Sequence, residues 1–205
     1  MRRGGFTLLE LTVSMAVLTM VMGVLFALAT GLAQSTKTQQ AKITADDDAR
    51  SAMIFLVREI RQASSSSIPP GTLPGSVLFY RVADDIDGNG TAVDVAGNLE
   101  LSPVRTLMRD VADSNNDGLT DTQLVMVEGT ASRVVANGLL PDEDSNNNGV
   151  LDPGEDANSN GVLERGLWFE QAGRGIRITI QTQRLADPRG LQLSSSLIET
   201  VVPRN

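Results

Sequence analysis

Two hydrophobic rhythms divide the chain. From position 6 it reads FTLLELTVSMAVLTMVMGVLFALATGLAQST, and positions 11–36 are 26 consecutive residues without a charge. As a helix, such a run spans a hydrocarbon core of about 30 Å. Further on, Ala45, Ala49, Ala52, Leu56, Ile60 and Ala63 recur every three or four positions, the stripe of an amphipathic helix. Arg50, Arg58, Glu59 and Arg61 fall largely off that stripe. No proline occurs before Pro69, so the pattern predicts one helix over 6–63. Its 58 residues would run roughly 87 Å at about 1.5 Å per residue. That exceeds the diameter of a small domain, so the first half must protrude, and the polar stretch 34–42 marks where it leaves its apolar surroundings.

The serines at 64–67 and Pro69-Pro70-Gly71 end the helix. Short β-type runs follow at 77–82, 124–127, 133–136, 167–170, 176–182 and 197–202, and Gly175-Ile176-Arg177-Ile178-Thr179-Ile180-Gln181-Thr182 alternates most cleanly. The expected fold class is α+β, with an antiparallel β-sheet head packed on the C-terminal half of one long N-terminal helix. The expected division is a leader at 1–5, an apolar half of membrane-spanning length at 6–36, an outer half and linker at 37–67, and a β-rich head at 68–205. Acidic loops interrupt that head at 85–94, 113–121 and 142–165.

Composition removes several chemistries. There is no cysteine and no histidine, so disulfides, thiolate nucleophiles, Cys/His zinc sites and the commonest general base are absent. Any local staple must come from packing or from a metal bound by oxygen. The net charge of −8 disfavours nucleic acid, which rewards Lys and Arg, and no nucleic-acid partner is expected. Arg174, Arg177, Arg184 and Arg189 read as the solvent face of strands. Gly173-Arg174-Gly175 lacks the spacing of a phosphate loop, no serine sits in a nucleophile elbow, and the serines at 64–67 and 194–196 read as linkers. No enzyme activity is expected. Among the few aromatics, Trp168, Phe169, Phe79 and Tyr80 are the expected core anchors.

Three readings compete for the N-terminus. Arg2 and Arg3 with Ala27-Leu28-Ala29 fit a Sec signal peptide with an A-x-A cut, but the apolar run continues past that cut. A plain anchor explains the length and leaves Glu10 unexplained. An acid within an apolar span is costly and marks function by default. Gly5-Phe6-Thr7-Leu8-Leu9-Glu10 resembles the prepilin signal of type IV pilins and type II secretion pseudopilins. The resemblance implies cleavage after Gly5 by a prepilin peptidase, methylation of Phe6, insertion in the inner membrane with the head outside the cytoplasm, and assembly with other pilin subunits into a filament. In that pattern Glu10 docks on a neighbour's N-terminal amine. The amine has a typical pKa of about 7.7–8.0 and is largely cationic, and at about 4 Å with an effective dielectric near 20 the gross attraction is about 4 kcal/mol. Asp46-Asp47-Asp48-Ala49-Arg50 through Arg58-Glu59-Ile60-Arg61 and the late Gly-Ile-Arg-Ile-Thr-Ile run resemble minor pilins of the PilW type; type II secretion pseudopilins of the J class share the layout. A Sec-exported calcium-binding surface protein or adhesin is the reading from another class.

The acidic loops share an Asp/Asn rhythm. Asp144, Asn146, Asn148, Val150 (through its carbonyl), Asp152 and Glu155 match the ligand positions of an EF-hand loop, with Gly149 at the turn. Asp156, Asn158, Asn160 and Glu164 repeat the rhythm, but Leu167 stands at the twelfth position; Asp113, Asn115, Asp117 and Asp121 are truncated likewise. Positions 142–164 hold seven acids and no Lys or Arg, so the segment repels itself without a cation. Calcium is the expected cofactor of these loops; the competing reading is a solvated acidic insertion, favoured for 85–90.

Overall fold

The computed structural model describes residues 7–69, 71–186 and 192–204. Helix α1, Leu8–Gln62, runs for 55 residues, roughly 83 Å at about 1.5 Å per residue. Ala63 turns to extended backbone and donates back to the carbonyls of Glu59 and Ile60, and a 3₁₀ turn at Ser65–Ser67 follows.

The expected antiparallel sheet is present as two. Strands β1 (Val77–Tyr80), β2 (Arg105–Arg109), β3 (Gln123–Glu128) and β4 (Ala131–Asn137) form a meander in that order. Strands β5 (Leu167–Ala172), β6 (Gly175–Leu185) and β7 (Gln192–Val201) form a second antiparallel sheet. Paired bridging hydrogen bonds between Gly75 and Phe169 (2.9 and 2.8 Å) tie the lead-in of β1 to β5. A further bridge joins Leu139 to Thr182.

The core lies between α1 and the two sheets. The whole predicted stripe Ala45, Ala49, Ala52, Leu56, Ile60 and Ala63 is buried, and from Ala49 on it joins Leu78, Leu107, Leu124, Phe169, Ile178 and Ile180 in one core. Small alanines let the strands approach the helix closely. Thr182 of β6 even reaches the helix backbone, donating from Oγ1 to the carbonyl of Ala45 at 2.8 Å. Arg184 adds Nε and Nη2 contacts of 2.9 and 2.6 Å to Asp48 Oδ2. These contacts fix the level at which the head begins.

Three expectations need correction. Phe79 is 38% exposed, because β1 alternates and turns Leu78 and Tyr80 inward. The serines at 194–196 are part of β7, opposite Gln183, Thr182 and Gln181. Their hydroxyls suit a strand whose faces alternate between half-buried and exposed. The strand at Arg105–Arg109 was not expected. It buries Leu107 and Arg109 beneath a run bounded by arginines, which hides its alternation.

Candidate functional site

Gly5 and Phe6 lie outside the described residues. At Thr7, the N-cap of α1, a capping box closes: Glu10 N–H donates to Thr7 Oγ1 at 3.3 Å, while Thr7 N–H and Oγ1 both donate to Glu10 Oε2 at 3.0 Å. The T-x-x-E spacing is the ordinary signature of such a box and was readable in the sequence. Glu10 thus sits in the first turn, where the positive end of the helix dipole favours a carboxylate.

The helix behind it is bare. Leu8, Leu9, Met15, Met20, Phe26 and Leu32 are all more than 60% exposed, and none of the most apolar 18-residue window (mean hydropathy 2.3) is buried within the chain. A helix apolar on every side is stable only inside a bilayer or a bundle. By length and composition it can cross a membrane. The exposed threonines at 12, 19, 30 and 36 each return their hydroxyl to a carbonyl one turn back, so little polar surface opposes that burial.

The acidic segments form four copies of one local structure. In each, the first-position aspartate (Asp85, Asp113, Asp144, Asp156) accepts the fifth-position N–H on Oδ1 and the glycine N–H on Oδ2. The third-position side chain (Asp87, Asn115, Asn146, Asn158) accepts that same fifth-position N–H. The fifth-position side chain (Asn89, Asp117, Asn148, Asn160) accepts the N–H two residues on, which in the third copy belongs to Val150. Positive φ at the fourth residue and at the closing glycine makes the reversal: Asn116 at 56° and Gly118 at 83°, Asn147 at 56° and Gly149 at 82°. The segment at 85–90, for which a plain acidic insertion was favoured, has the same backbone as the other three.

A second regularity was not readable. In every copy a carboxylate from outside the six-residue turn accepts the N–H of the second residue. Glu155 Oε1 takes Ser145 N–H at 3.1 Å, Glu143 Oε1 takes Ala157 N–H at 3.1 Å, Glu100 Oε2 takes Ile86 N–H at 2.8 Å, and Asp110 Oδ1 takes Ser114 N–H at 2.7 Å. Leu167, at the twelfth position of the fourth copy, lies in β5, and Glu143 supplies the acid in its place. Carboxylate oxygens of Asp85, Asp87 and Glu100 lie within 4.8 Å of one another.

The residues expected at 144–164 do converge. Asp152 Oδ2 accepts the amides of Asn146 and Asn148 at 2.8 and 2.7 Å, and Glu155 Oε2 accepts Asp152 N–H at 3.0 Å. Glu164, buried, accepts the amides of Asn158 and Asn160 at 2.7 and 3.2 Å. The self-repulsion expected there is relieved in part by Arg165, just beyond the acidic stretch. Its guanidinium pairs with buried Asp144 and stacks 3.7 Å over the ring of Trp168. Asp121 takes another part: its carbonyl accepts Arg109 Nη1 at 2.9 Å, and its N–H donates to the Asp110 carbonyl at 2.9 Å.

Electrostatics separate the acids. The Gln123 amide, then Leu119 N–H and Asn115, hold exposed Asp117 below the usual carboxylate range. Burial raises half-buried Asp142, against the pull of the Asp144 N–H and of Arg109 and Arg165. Among the strand arginines, Arg177 pairs with Glu170 and Arg184 with Asp48; Arg189 lies outside the described residues.

No curated protein and no solved structure is significantly similar to the chain. Residues 1–26 match the family described as the prokaryotic N-terminal methylation motif. That motif implies processing by prepilin peptidase and association with other pilin subunits. Together with the uncovered apolar helix it fits anchoring in the inner membrane before filament entry. The match and the bare helix behind it support a type IV pilin- or pseudopilin-type precursor.

Proposed function

We propose that the chain is a non-catalytic minor pilin-like subunit, incorporated into a type IV pilus to help initiate or cap its assembly. The observation that carries this reading is the division of α1. Residues 8–36 are exposed throughout, while Ala45 to Ile60 are locked under two sheets. Lipid covers the first half before assembly and neighbouring helices cover it afterwards. Glu10 is the docking group, because its carboxylate lies one turn from the new terminus and its surroundings in a bundle are dry. In such a setting an unpaired charge penalises every wrong register. Mass spectrometry of the mature chain is the test. A species starting at N-methyl-Phe6 and recovered in sheared filaments is expected; a chain starting at Thr30, or one absent from filaments, overturns the reading.

Calcium at 142–165 belongs to the same proposal. The loops offer carboxylate, amide and carbonyl oxygens alone, a hard donor set that suits calcium over softer metals. Asp144, Asn146, Asn148, Val150, Asp152 and Glu155 would hold one ion. Asp156, Asn158, Asn160 and Glu164, with Glu143, would hold a second. The ions would supply the cross-links that a head without cysteine cannot form.

A further inference from the structure

The second sheet ends on β7. This strand pairs with β6 over its 10 residues, from Gln192 opposite Leu185 to Val201 opposite Ile176, without a bulge. Every second residue of an antiparallel edge strand turns its N–H and C=O away from its one partner. Among the described residues, no backbone hydrogen bond from outside the sheet meets β7. Other outer strands are better guarded. Gly75, in the lead-in of β1, closes on β5 at Phe169, while β4 carries Arg133 and meets β3 at a bulge. Edges are commonly blunted by lysine, proline or a bulge; QLSSSLIETV has none of these and a single charge, Glu199.

A groove of about 550 Å³ lies beside this strand, lined by Ile54, Val57, Arg58 and Arg61 of α1 and by Glu199 and Arg204. Ile54 is 70% exposed. Leu197 packs on the core, so the alternation turns Ile198, 65% exposed, to the opposite face of the strand. Three guanidiniums thus stand around one acid, in a chain of net charge −8. Among the described residues Arg61 and Arg204 form no ion pair. Arg58 lies 3.9 Å from Glu59, whose other oxygen Arg105 already holds.

A second copy does not suit this edge. Thr182, opposite Ser195, bonds to Ala45, and Arg204 bridges to Ser64, so β7 follows the direction of α1. Two-fold pairing of β7 with itself would set two α1 helices antiparallel, which copies anchored in one membrane cannot adopt. That step rests on the membrane-anchored reading of α1; the free edge and the groove do not. We propose that β7 receives an extended acidic segment of a different chain as a fourth, antiparallel strand. Its carboxylates would meet Arg58, Arg61 and Arg204 on the α1 side, where planar guanidiniums match them, and its apolar side chains would lie beside Ile198. Main-chain hydrogen bonds supply affinity in such strand addition, and the alternating side chains supply specificity.

Hydrogen–deuterium exchange of the full-length chain in detergent micelles tests it, with a blocked peptide alternating glutamate and valine as the probe. The peptide should slow exchange across 192–201 with a Kd below about 1 mM, and added salt should weaken the effect, since exposed charges are screened. A twin with a central proline lacks a ladder N–H and should bind about tenfold more weakly. A twin with lysine in place of glutamate should lose about as much. Arg61→Gln combined with Arg204→Gln, both at exposed positions, should keep the wild-type Tm and bind the glutamate peptide about fivefold more weakly, as expected for two exposed ion pairs. No slowing at 192–201 up to about 1 mM peptide overturns the proposal. So does equal binding of the proline or lysine twin, or wild-type binding by the double variant. The mass of the mature N-terminus tests the filament reading separately, so the two can fail independently.

Discussion

Tyr80 Oη donates a hydrogen bond to Glu59 Oε2 at 3.0 Å in the buried core, joining β1 to the last turns of α1. Arg105 of β2 brings Nη1 to 3.3 Å from the same oxygen. A carboxylate sits under the sheet because a phenol and a guanidinium share one of its oxygens, while Arg58 Nη2 lies 3.9 Å from the other. Tyr80→Phe removes one donor and leaves the charge in place. A hydrogen bond to a charged group contributes about 1.5–3 kcal/mol. The variant should lose about that much in urea unfolding of the micelle-bound chain, with Phe169 and its neighbours otherwise packed as before. A loss under about 0.5 kcal/mol would show that the arginines, Arg105 with Arg58, satisfy Glu59 without the phenol.

The same contact predicts an alkaline limit. Burial foremost, and then the charge of Glu59, push the Tyr80 phenol far above its ordinary value. An unfolded phenol ionises near pH 10, about its model value. The folded state favours the protonated form, so its contribution is complete below about pH 10 and is lost as pH rises beyond it. Tyr80 is the only tyrosine in the chain. Tyrosinate absorbance near 295 nm therefore reads one group, and its rise should coincide with loss of folded circular dichroism. Tyr80→Phe should lack this component of the alkaline transition. A phenol that titrates reversibly near pH 10 in the folded chain would contradict the burial.

Gly166 and Gly173 share a backbone conformation and differ in surroundings. Their φ values are 62° and 61°. A Cβ at Gly173 meets open space, whereas one at Gly166 collides with the Leu140 carbonyl and the Arg109 guanidinium. Gly166 also lies where its carbonyl accepts Gln181 N–H at 2.6 Å, so it cannot move aside without opening β6. Gly173→Ala should cost about 1 kcal/mol of backbone strain. Gly166→Ala adds the collision and should cost about 2–5 kcal/mol. Parallel thermal melts check the pair, and equal shifts would mean the close approach at Gly166 is not real.

What the sequence could reveal follows from how each feature is encoded. The helix stripe from Ala45 to Ala63 was legible because burial repeats with the helical period, and β6 because its isoleucines alternate. The strand at Arg105–Arg109 was not, since Thr106-Leu107-Met108 carries little β-branching and its inward Arg109 looks like surface. Its burial depends on carbonyls of Asp121 and Arg165, distant in sequence, which accept its guanidinium. The loop rhythm was legible because the first, third and fifth positions lie within one turn. Their closing acids were not. Glu155 obeys the twelve-residue rule, but Glu100 arrives 14 positions after Ile86, and Asp110 and Glu143 come from before their turns. Only folding brings those carboxylates to the second-residue N–H. The Thr7–Glu10 box is the opposite case: both partners lie within one turn, and the T-x-x-E spacing is in plain view.

That box gives Glu10 two jobs that substitution can separate. As the third residue of α1 it caps the helix, and under the proposed function it would also meet the amine of a neighbour. Thr7→Val removes the cap's hydroxyl and keeps the charge; losing such a cap costs about 1 kcal/mol, small beside the burial of a whole apolar helix. Glu10→Val removes both. If docking is the larger job, Thr7→Val should enter filaments at nearly wild-type levels and Glu10→Val should be reduced at least tenfold. Both should still carry N-methyl-Phe6, confirmed by mass spectrometry, so that cleavage is not the cause. Glu10→Gln sharpens the comparison, because a neutral amide can still accept Thr7 N–H but cannot balance an amine. Incorporation of the Gln variant at wild-type levels would show that Glu10 serves the cap, and the register of the filament would then have to come from apolar packing alone.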